Sequence, residues 1–473
     1  MTYEKIVWIS IDTLRSDCIN VNKSKLYKKE YKIVTKLERS KLDELCSKGC
    51  FFPNTITAAP YTSASHAAYF TGLWPKNNGV YDSFNSKMKP SVQSIFQIAK
   101  KQGYNTLFKT DFPFVLGKDL GLTKGVDKYY VEDNETIIQE IKNQKKVFSF
   151  IHFGLVHYPY GFHNIKFGGQ DYKRKVSKLL KKYNLSPKID KLDDTMVESV
   201  RSKKDLILLL KYKKVIDYLY KSKKYDDLFN LYLEGINHFN KKYFNVFLDN
   251  LLKILQKENY LIIISSDHGE AWNNESFGHY NSLNEGVLRV PVLFFAKDIT
   301  PRYYDNRIRT IDIAPTLNKI LLNSKEKFDG SDLNPIIYGK DSFQEEIAFS
   351  TIWLSEAKDI LDNIAKIIDG KSFKTKNRMS EKYAATIYQE KYKYVFNYKN
   401  IIEGILKTQA KENFSDKLFK IDSKKNICLS NNVEIQKKLR KNLKRYNVLY
   451  TKSSRKIKKN LKEYFRMLGY QIQ

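Results

Sequence analysis

The chain alternates between two kinds of apolar pattern. One kind is short and continuous. Lys5–Ile11 reads KIVWISI and runs straight into Asp12-Thr13; Val147–Leu155 (VFSFIHFGL), Tyr260–Ser266 (YLIIISS) and Val290–Ala296 (VPVLFFA) have the same character. Apolar runs of this length, ended by polar residues, predict strands buried on both faces, as in a parallel sheet. The other kind has helical spacing and fills the stretches between, for example Ser91–Gln102 and Phe239–Lys257. Strands alternating with helices predict an α/β fold with a mostly parallel central sheet and helices on both faces. Ligands bind beyond the carboxyl ends of such strands. Two of those ends carry Asp12 and Asp267-His268, the first functional signal.

Two segments depart from this alternation. Residues from about Lys166 to Asp227 are rich in Lys, Leu and Tyr, with apolar spacing at Leu206, Leu209, Leu210 and Val215. They predict a helical insertion, either a solvated lid or a binding module. From Asn431 to Gln473, thirteen Lys and Arg stand against two Glu. Leu439, Leu443 and Tyr446 keep helical spacing there, as do Ile457, Leu461 and Phe465, so one or two amphipathic helices are expected.

Composition changes the picture in three ways. With 42% hydrophobic and 14% aromatic residues among 473, the chain can bury a large core and is not disordered. Its net charge of +31 is extreme. An AT-rich coding sequence gives that balance with no functional cause; the functional reading is attraction to anionic substrates, phospholipid surfaces or nucleic acid. Four cysteines (Cys18, Cys46, Cys50 and Cys428) lack the pairing of a structural zinc site and suit a reduced compartment. No run reaches the ~18 apolar residues of a membrane span, and the first residues lack the layout of a signal peptide. A cytoplasmic protein is therefore expected, with association to a membrane surface through the basic segments left open.

Four patches carry candidate chemistry: Ile11-Asp12-Thr13-Leu14-Arg15-Ser16-Asp17; Ala59 to His66, running on to Pro75; Ser266-Asp267-His268-Gly269-Glu270; and Gly278-His279, followed by Glu285 and Arg289-Val290-Pro291. Asp12 and Asp267 offer hard oxygen ligands, His268 an imidazole and Thr62 a hydroxyl. A divalent cation held by this set would activate the hydroxyl as a nucleophile and offset charge on an anionic ester. The mixed donors suit Zn or Mn better than Mg or Ca.

These patches resemble the sulfatase branch of the alkaline-phosphatase superfamily over nearly the whole chain. Asp12 to Asp17 looks like its first metal-binding loop, Thr62 to Gly72 its nucleophile segment, and Asp267 to Glu270 its second metal-binding loop. Glu285 to Pro291 resembles its Glu-x-x-x-Arg-Val-Pro signature. Asp312 to Thr316, Phe328-Asp329-Gly330 and Leu468-Gly469-Tyr470 resemble later markers. The resemblance implies an alkaline-phosphatase-like sandwich. Its catalytic domain would span residues 1–345, including the helical insertion at about 166–227. A smaller C-terminal subdomain would follow at 346–430, then the basic helical end at 431–473.

The departures matter as much. Sulfatases carry Cys-x-Pro-x-Arg, or the same with Ser first, and oxidise the Cys or Ser to formylglycine. Here Thr62 stands at that position, with Ala64 at the Pro and His66 at the Arg. A Thr cannot become formylglycine, so a covalent Thr62 ester must be cleared by water or an acceptor alcohol attacking phosphorus or sulfur. That resembles the phosphatase, phosphodiesterase and phosphoglycerol- or phosphoethanolamine-transferase members. Asp111 stands where sulfatases usually have Lys, and His268 where many have Asn. The expected reaction is therefore hydrolysis or transfer of phosphate esters. The alternatives are a sulfuric ester hydrolase, or a silent site on a basic protein that binds an anionic polymer or membrane.

The remaining candidates each have a plain alternative. His157 resembles the family's His-x-Pro-Tyr segment and could contact substrate, protonate a leaving group or share a second metal with His279; either could instead be bonded to backbone. His66 could orient the nucleophile or simply pack in its helix. Lys109 could pair with a phosphate oxygen or be solvated. Glu285 and Arg289 read as a structural pair. Ser63 and Ser65 could replace Thr62 if the register slips. The expected partner is an anionic ester, glycan- or lipid-linked, with nucleic acid not favoured.

Overall fold

The first strand shows how the core is divided. In β1 (Lys5–Ile11) every residue is buried, and alternation sends Ile6 and Trp8 to one face and Val7, Ile9 and Ile11 to the other. Each set belongs to a separate apolar cluster, so the sheet has a packed layer on both sides. The structure is a computed structural model. It describes residues 3–81, 86–113, 115–158, 160, 165–188, 203–274, 276–279, 282–322, 326–339, 346–354, 381–397, 417–421, 426–428 and 432–445. The marker at Leu468–Tyr470, Pro159 of the His-x-Pro-Tyr segment, and the expected helix at Ile457–Phe465 lie outside these residues.

Beyond β1, the main sheet is built from β2 (Cys50–Ile56), β3 (Asn105–Thr110), β4 (Lys128–Val131), β5 (Val147–Phe153) and β6 (Tyr260–Ser265). After a small hairpin of β7 (Trp272–Asn273) and β8 (Ser276–Phe277), it gains β9 (Arg289–Phe295), β10 (Arg302–Tyr303) and β11 (Ile308–Arg309). The order is β10-β2-β9-β6-β1-β5-β3-β4, with β11 also on β2. Every pairing is parallel except those of β9, which runs antiparallel to both β2 and β6. The strand expected at Val290–Ala296 is therefore present but reversed. The connection from β6 holds the β7–β8 hairpin and the four-residue helix Glu285–Leu288, and among its described residues no helix long enough to cross a sheet face, as a parallel return usually does.

Two expected helices are shorter than their patterns. Ser91–Gln102 yields Ile95–Lys101, started by a capping box between Ser94 and Gln97. The Phe239–Lys257 pattern is shared by the end of helix Tyr225–Phe239, a π-helical turn Asn240–Phe244 and helix Asn245–Leu255. In the insertion, helices Ile165–Lys182 and Lys203–Lys221 bury Val176, Leu179, Leu180, Tyr212, Val215, Ile216 and Leu219 in the main core. These two helices are thus a packed layer rather than a solvated lid.

A second, antiparallel sheet has the order β12 (Ala348–Leu354), β13 (Glu381–Gln389), β14 (Tyr392–Asn397), β15 (Lys417–Ile421) and β16 (Asn426–Cys428). Helix Val433–Arg445 packs on it through Leu439 and Leu443. Buried charges join the sheets: Glu285 accepts from Tyr388 Oη (2.7 Å) and Lys393 Nζ (2.6 Å) while also pairing with Arg289 (2.5 Å).

Candidate active site

Strand register brings the site together. Ser10 on β1 is level with Ser265 on β6 and with His152 on β5. The residues just past these strand ends, Asp12 and Asp267, therefore emerge side by side, both fully buried. Thr13 turns the chain at once through a φ of 59°, a strained conformation for a β-branched residue. Its carbonyl accepts from Tyr232 Oη (2.6 Å) and its N–H donates to Asp267 Oδ1 (3.2 Å).

The Asp267 loop is clamped behind by Arg15. This buried guanidinium donates to Asp17 (2.8 and 2.9 Å), Glu30 (3.0 Å) and the Glu270 carbonyl (3.2 Å), and lies over Phe229. Gly286 passes directly across it; a Cβ there would overlap the guanidinium, and one on Gly269 would overlap the Gly286 carbonyl.

Thr62 opens helix Thr62–Thr71, all ten residues of which are buried. Ala64, Ala67 and Ala68 let the helix lie close to the sheet. Tyr61 gives it no side-chain cap, and the positive end of the helix dipole faces the site. The later markers hold its other end: Asp329 and Gly330 donate N–H to the carbonyl of Gly72, whose φ of 63° ends the helix. Thr62 Oγ1 lies 3.3 Å from Asp12 Oδ2 and 3.4 Å from His268 Nε2. Ser63 donates instead to the Val115 carbonyl and Ser65 to that of Asp267, so the register slip is not favoured.

Ligand atoms of Asp12, Asp267 and His268 lie within 4.8 Å of one another, and among the described residues these three form the one such group. Asp12 Oδ1 and Asp267 Oδ2 are buried with no hydrogen-bond partner. Burial, and then the charge of Asp267, push the Asp12 carboxyl well above its usual range. Burial, and then His279, hold His268 well below its ordinary value, so the ring is neutral. Its Nδ1–H donates to the Gly269 carbonyl (3.2 Å), which turns the Nε2 lone pair toward Asp12 and Thr62. Two orphaned carboxylate oxygens and an imidazole lone pair, converging where no Lys or Arg among the described residues completes the cluster, fit a divalent cation.

The other expected site residues are placed differently. His66 sits one turn behind Thr62, with Nδ1 donating to the Thr62 carbonyl (2.8 Å) and Nε2 facing Ser10 Oγ (2.9 Å). Both nitrogens are engaged and the ring is buried, so direct contact with substrate gives way to support of the helix. Lys109 is also fully buried, bonded to Asp111 (2.5 Å) and the His152 carbonyl (2.9 Å), with its charge over Phe153; pairing with a phosphate oxygen is thereby corrected. Its partner Asp111 further accepts from Gly154 N (2.8 Å), tying β3 to the end of β5.

His279 packs against His268, with tilted rings 4.2 Å apart between centroids, and bonds through Nδ1 to Glu270 Oε1 (2.5 Å). That nitrogen is engaged and the converging group of Asp12, Asp267 and His268 does not include it, so the second metal expected between His279 and His157 stays a proposal. His157, half-buried, packs between Phe112 and His279, with Nδ1 facing the Tyr158 carbonyl (3.1 Å). Burial raises Glu270 to about 7, and Tyr160 Oη donates to its other oxygen (3.2 Å). The residue that sequence reasoning missed is His152, whose Nε2 lies 3.1 Å from Asp12 Oδ2.

No helix among the described residues is long and apolar enough to cross a membrane. The chain covers 88% of itself and 89% of a phosphonate monoester hydrolase of Agrobacterium radiobacter, at 15% identity and a TM-score of 0.56. A 2-O GAG sulfatase is similar at 14% identity and TM-score 0.61, over 100% of this chain and 95% of that one. A protein solved with its substrate D-glucosamine-2-N,6-O-disulfate gives 14% and 0.61, over 94% and 98%. No protein of curated function matches in sequence. The family model for Sulfatase matches residues 4–323. With that match over more than half its length, the chain belongs to the sulfatase family and has its alkaline-phosphatase-like fold.

Proposed function

We propose that this protein is a metal-dependent hydrolase or transferase of phosphate esters that works through a covalent Thr62 intermediate. Family membership supports ester hydrolysis at a metal-dependent site. The observation that carries the finer reading is the position of Thr62 Oγ1, 3.3 Å from Asp12 and 3.4 Å from His268 at the positive end of a buried helix. Asp12, Asp267 and His268, with Thr62, would hold the cation. When bound, it supplies positive charge that lowers the hydroxyl pKa and offsets charge on the reacting ester.

The residues would do the rest. Thr62 gives its hydroxyl proton to Asp12 Oδ2 as Oγ1 bonds to phosphorus and the ester P–O bond breaks. The leaving oxygen takes a proton, for which His157, half-buried beside His279, is the candidate donor. Water or an acceptor alcohol then attacks phosphorus, passing its proton to His157, while the P–Oγ1 bond breaks and Thr62 recovers its proton from Asp12. The helix N-terminus favours the anion throughout.

A sulfuric ester substrate is the second reading, favoured by the family match and by the sulfated sugar bound to one structural neighbour. Purified, unmodified protein loaded with Zn or Mn should turn over aryl phosphates or phosphodiesters faster than aryl sulfates, and mass spectrometry after brief exposure should find the adduct on Thr62. An equal or greater rate on sulfate esters would overturn the proposal.

A further inference from the structure

We infer that His152 is a positioning residue that decides which oxygen of Asp12 is left bare for a cation, an inference that rests on the metal-site reading above. His152 lies in the middle of the sheet, fully buried, on a strand otherwise made of apolar residues and one Ser. Both its ring nitrogens have partners: Nε2 is 3.1 Å from Asp12 Oδ2 and Nδ1 is 3.3 Å from Thr110 Oγ1.

The direction of these bonds follows from the carboxylate, which as an ionised cation ligand can only accept. The neutral His152 ring therefore carries its proton on Nε2, donating to Asp12 Oδ2, and leaves Nδ1 to accept from the Thr110 hydroxyl. The backbone N–H of Phe112 donates to Thr110 Oγ1 at 2.9 Å, which takes one lone pair of that oxygen and leaves its proton for Nδ1. Thr62 Oγ1 faces this same oxygen at 3.3 Å. Two donors therefore meet at Oδ2, while Oδ1 stays buried and without a partner, 3.8 Å from His268 Nε2.

Without His152, the Asp12 carboxylate could rotate and exchange its two oxygens. With it, Oδ1 is held toward Asp267 and His268, and Oδ2 toward the nucleophile. The backbone of the same residue is fixed independently, because Lys109 Nζ donates to the His152 carbonyl at 2.9 Å. The relay thus joins the ends of three strands: β3 through Thr110, β5 through His152 and β1 through Asp12.

The test is calorimetric titration of metal-free protein with Mn²⁺ alone and with Zn²⁺ alone, beside melting temperature and kcat and KM on an aryl phosphate. Loss of an outer partner of a metal ligand typically costs ~10–100-fold in metal affinity, and that is expected for His152→Leu. His152→Gln, which can still place an amide N–H near Oδ2, should recover to within a few-fold of wild type. Thr110→Val, which removes the donor to Nδ1, should fall between them. The losses should lie in metal affinity and kcat, with KM little changed. Asp267→Asn is the control. If it binds metal weakly while His152→Leu and Thr110→Val bind as wild type does, the relay inference is overturned alone. If Asp267→Asn itself binds as wild type, the metal-site reading is overturned. Should His152→Leu fail to fold, His152→Gln and Thr110→Val decide: wild-type affinity in Thr110→Val with loss in His152→Gln would overturn the relay.

Discussion

Two buried clusters of charge sit on either side of helix Glu285–Leu288, and they are built in opposite ways. Around Glu285 the charges are matched: one carboxylate meets Arg289, Lys393 and the Tyr388 hydroxyl. Burial alone would raise this carboxyl, but Lys393 and Arg289 outweigh it and bring it down to about 2. Around Asp267 the charges are unmatched: two carboxylates keep orphaned oxygens beside a neutral imidazole. The first arrangement stabilises the fold as it stands; the second is complete only with something positive added. Burial and ionisable residues are common to both, so what separates a structural cluster from a site is whether its bonding capacity is used up.

Substitution of Thr62, the proposed nucleophile, should have the largest effect. Thr62→Val should lower kcat on an aryl phosphate by roughly 10³-fold or more, while circular dichroism and melting temperature stay near wild type. Next is Asp267→Asn, which should abolish metal retention and turnover together. Metal-free, it should melt no lower than metal-free wild type, because it removes one of two unmatched charges. A clear drop in its metal-free melting temperature would erase the contrast between the clusters.

Glu285→Gln should behave in the reverse sense. It strands Lys393 and Arg289, and breaking a buried pair costs ~3–5 kcal/mol, readable by denaturant unfolding. The pH dependence has a definite sign. The folded state holds the Glu285 carboxyl at about 2, below its ordinary 4.5. Its contribution is therefore full above about pH 4.5 and lost as pH falls from there toward 2. The stability gap between wild type and Glu285→Gln should narrow across that window and stay constant above it.

The smallest effect concerns the insertion. Reversing exposed Lys173, Lys178 and Lys181 together should raise KM for a large anionic substrate a few-fold at low salt. The change should shrink at physiological salt, where screening acts within ~8 Å. Small aryl phosphates should respond little; an equal response from small and large substrates would mark the charge as compositional.

Much of the candidate site is legible because its residues end strands. Asp12, Asp267 and His268 each follow an apolar run, and Thr62 begins a segment with recognisable neighbours. What failed to show depends on pairing. His152 lies inside VFSFIHF, where a single His reads as one more buried position; only its register opposite Ser10 aims it at Asp12. Lys109 was misread although its partner Asp111 lies two residues on, which puts both on one face of a strand. His66 stands four residues after Thr62, and helical geometry places its ring behind Thr62 rather than before it. The reversal of β9 was also invisible to periodicity, since a buried strand looks alike in either direction. The missing crossover helix was the available signal.

The clasp on Glu285 has a consequence for the order in which the protein is made. Helix Glu285–Leu288 backs the Asp267 loop, and Gly269 N donates to the Val287 carbonyl at 2.8 Å. Two of the three partners of Glu285, Tyr388 and Lys393, come from about a hundred residues further along the chain. During synthesis, Asp12, Thr62, Asp267 and His268 all leave the ribosome while Glu285 still has Arg289 alone to meet its charge. The loop that carries Asp267 gains its full backing only when β13 and β14 have emerged and docked, so the proposed metal site is completed after its own residues have been translated.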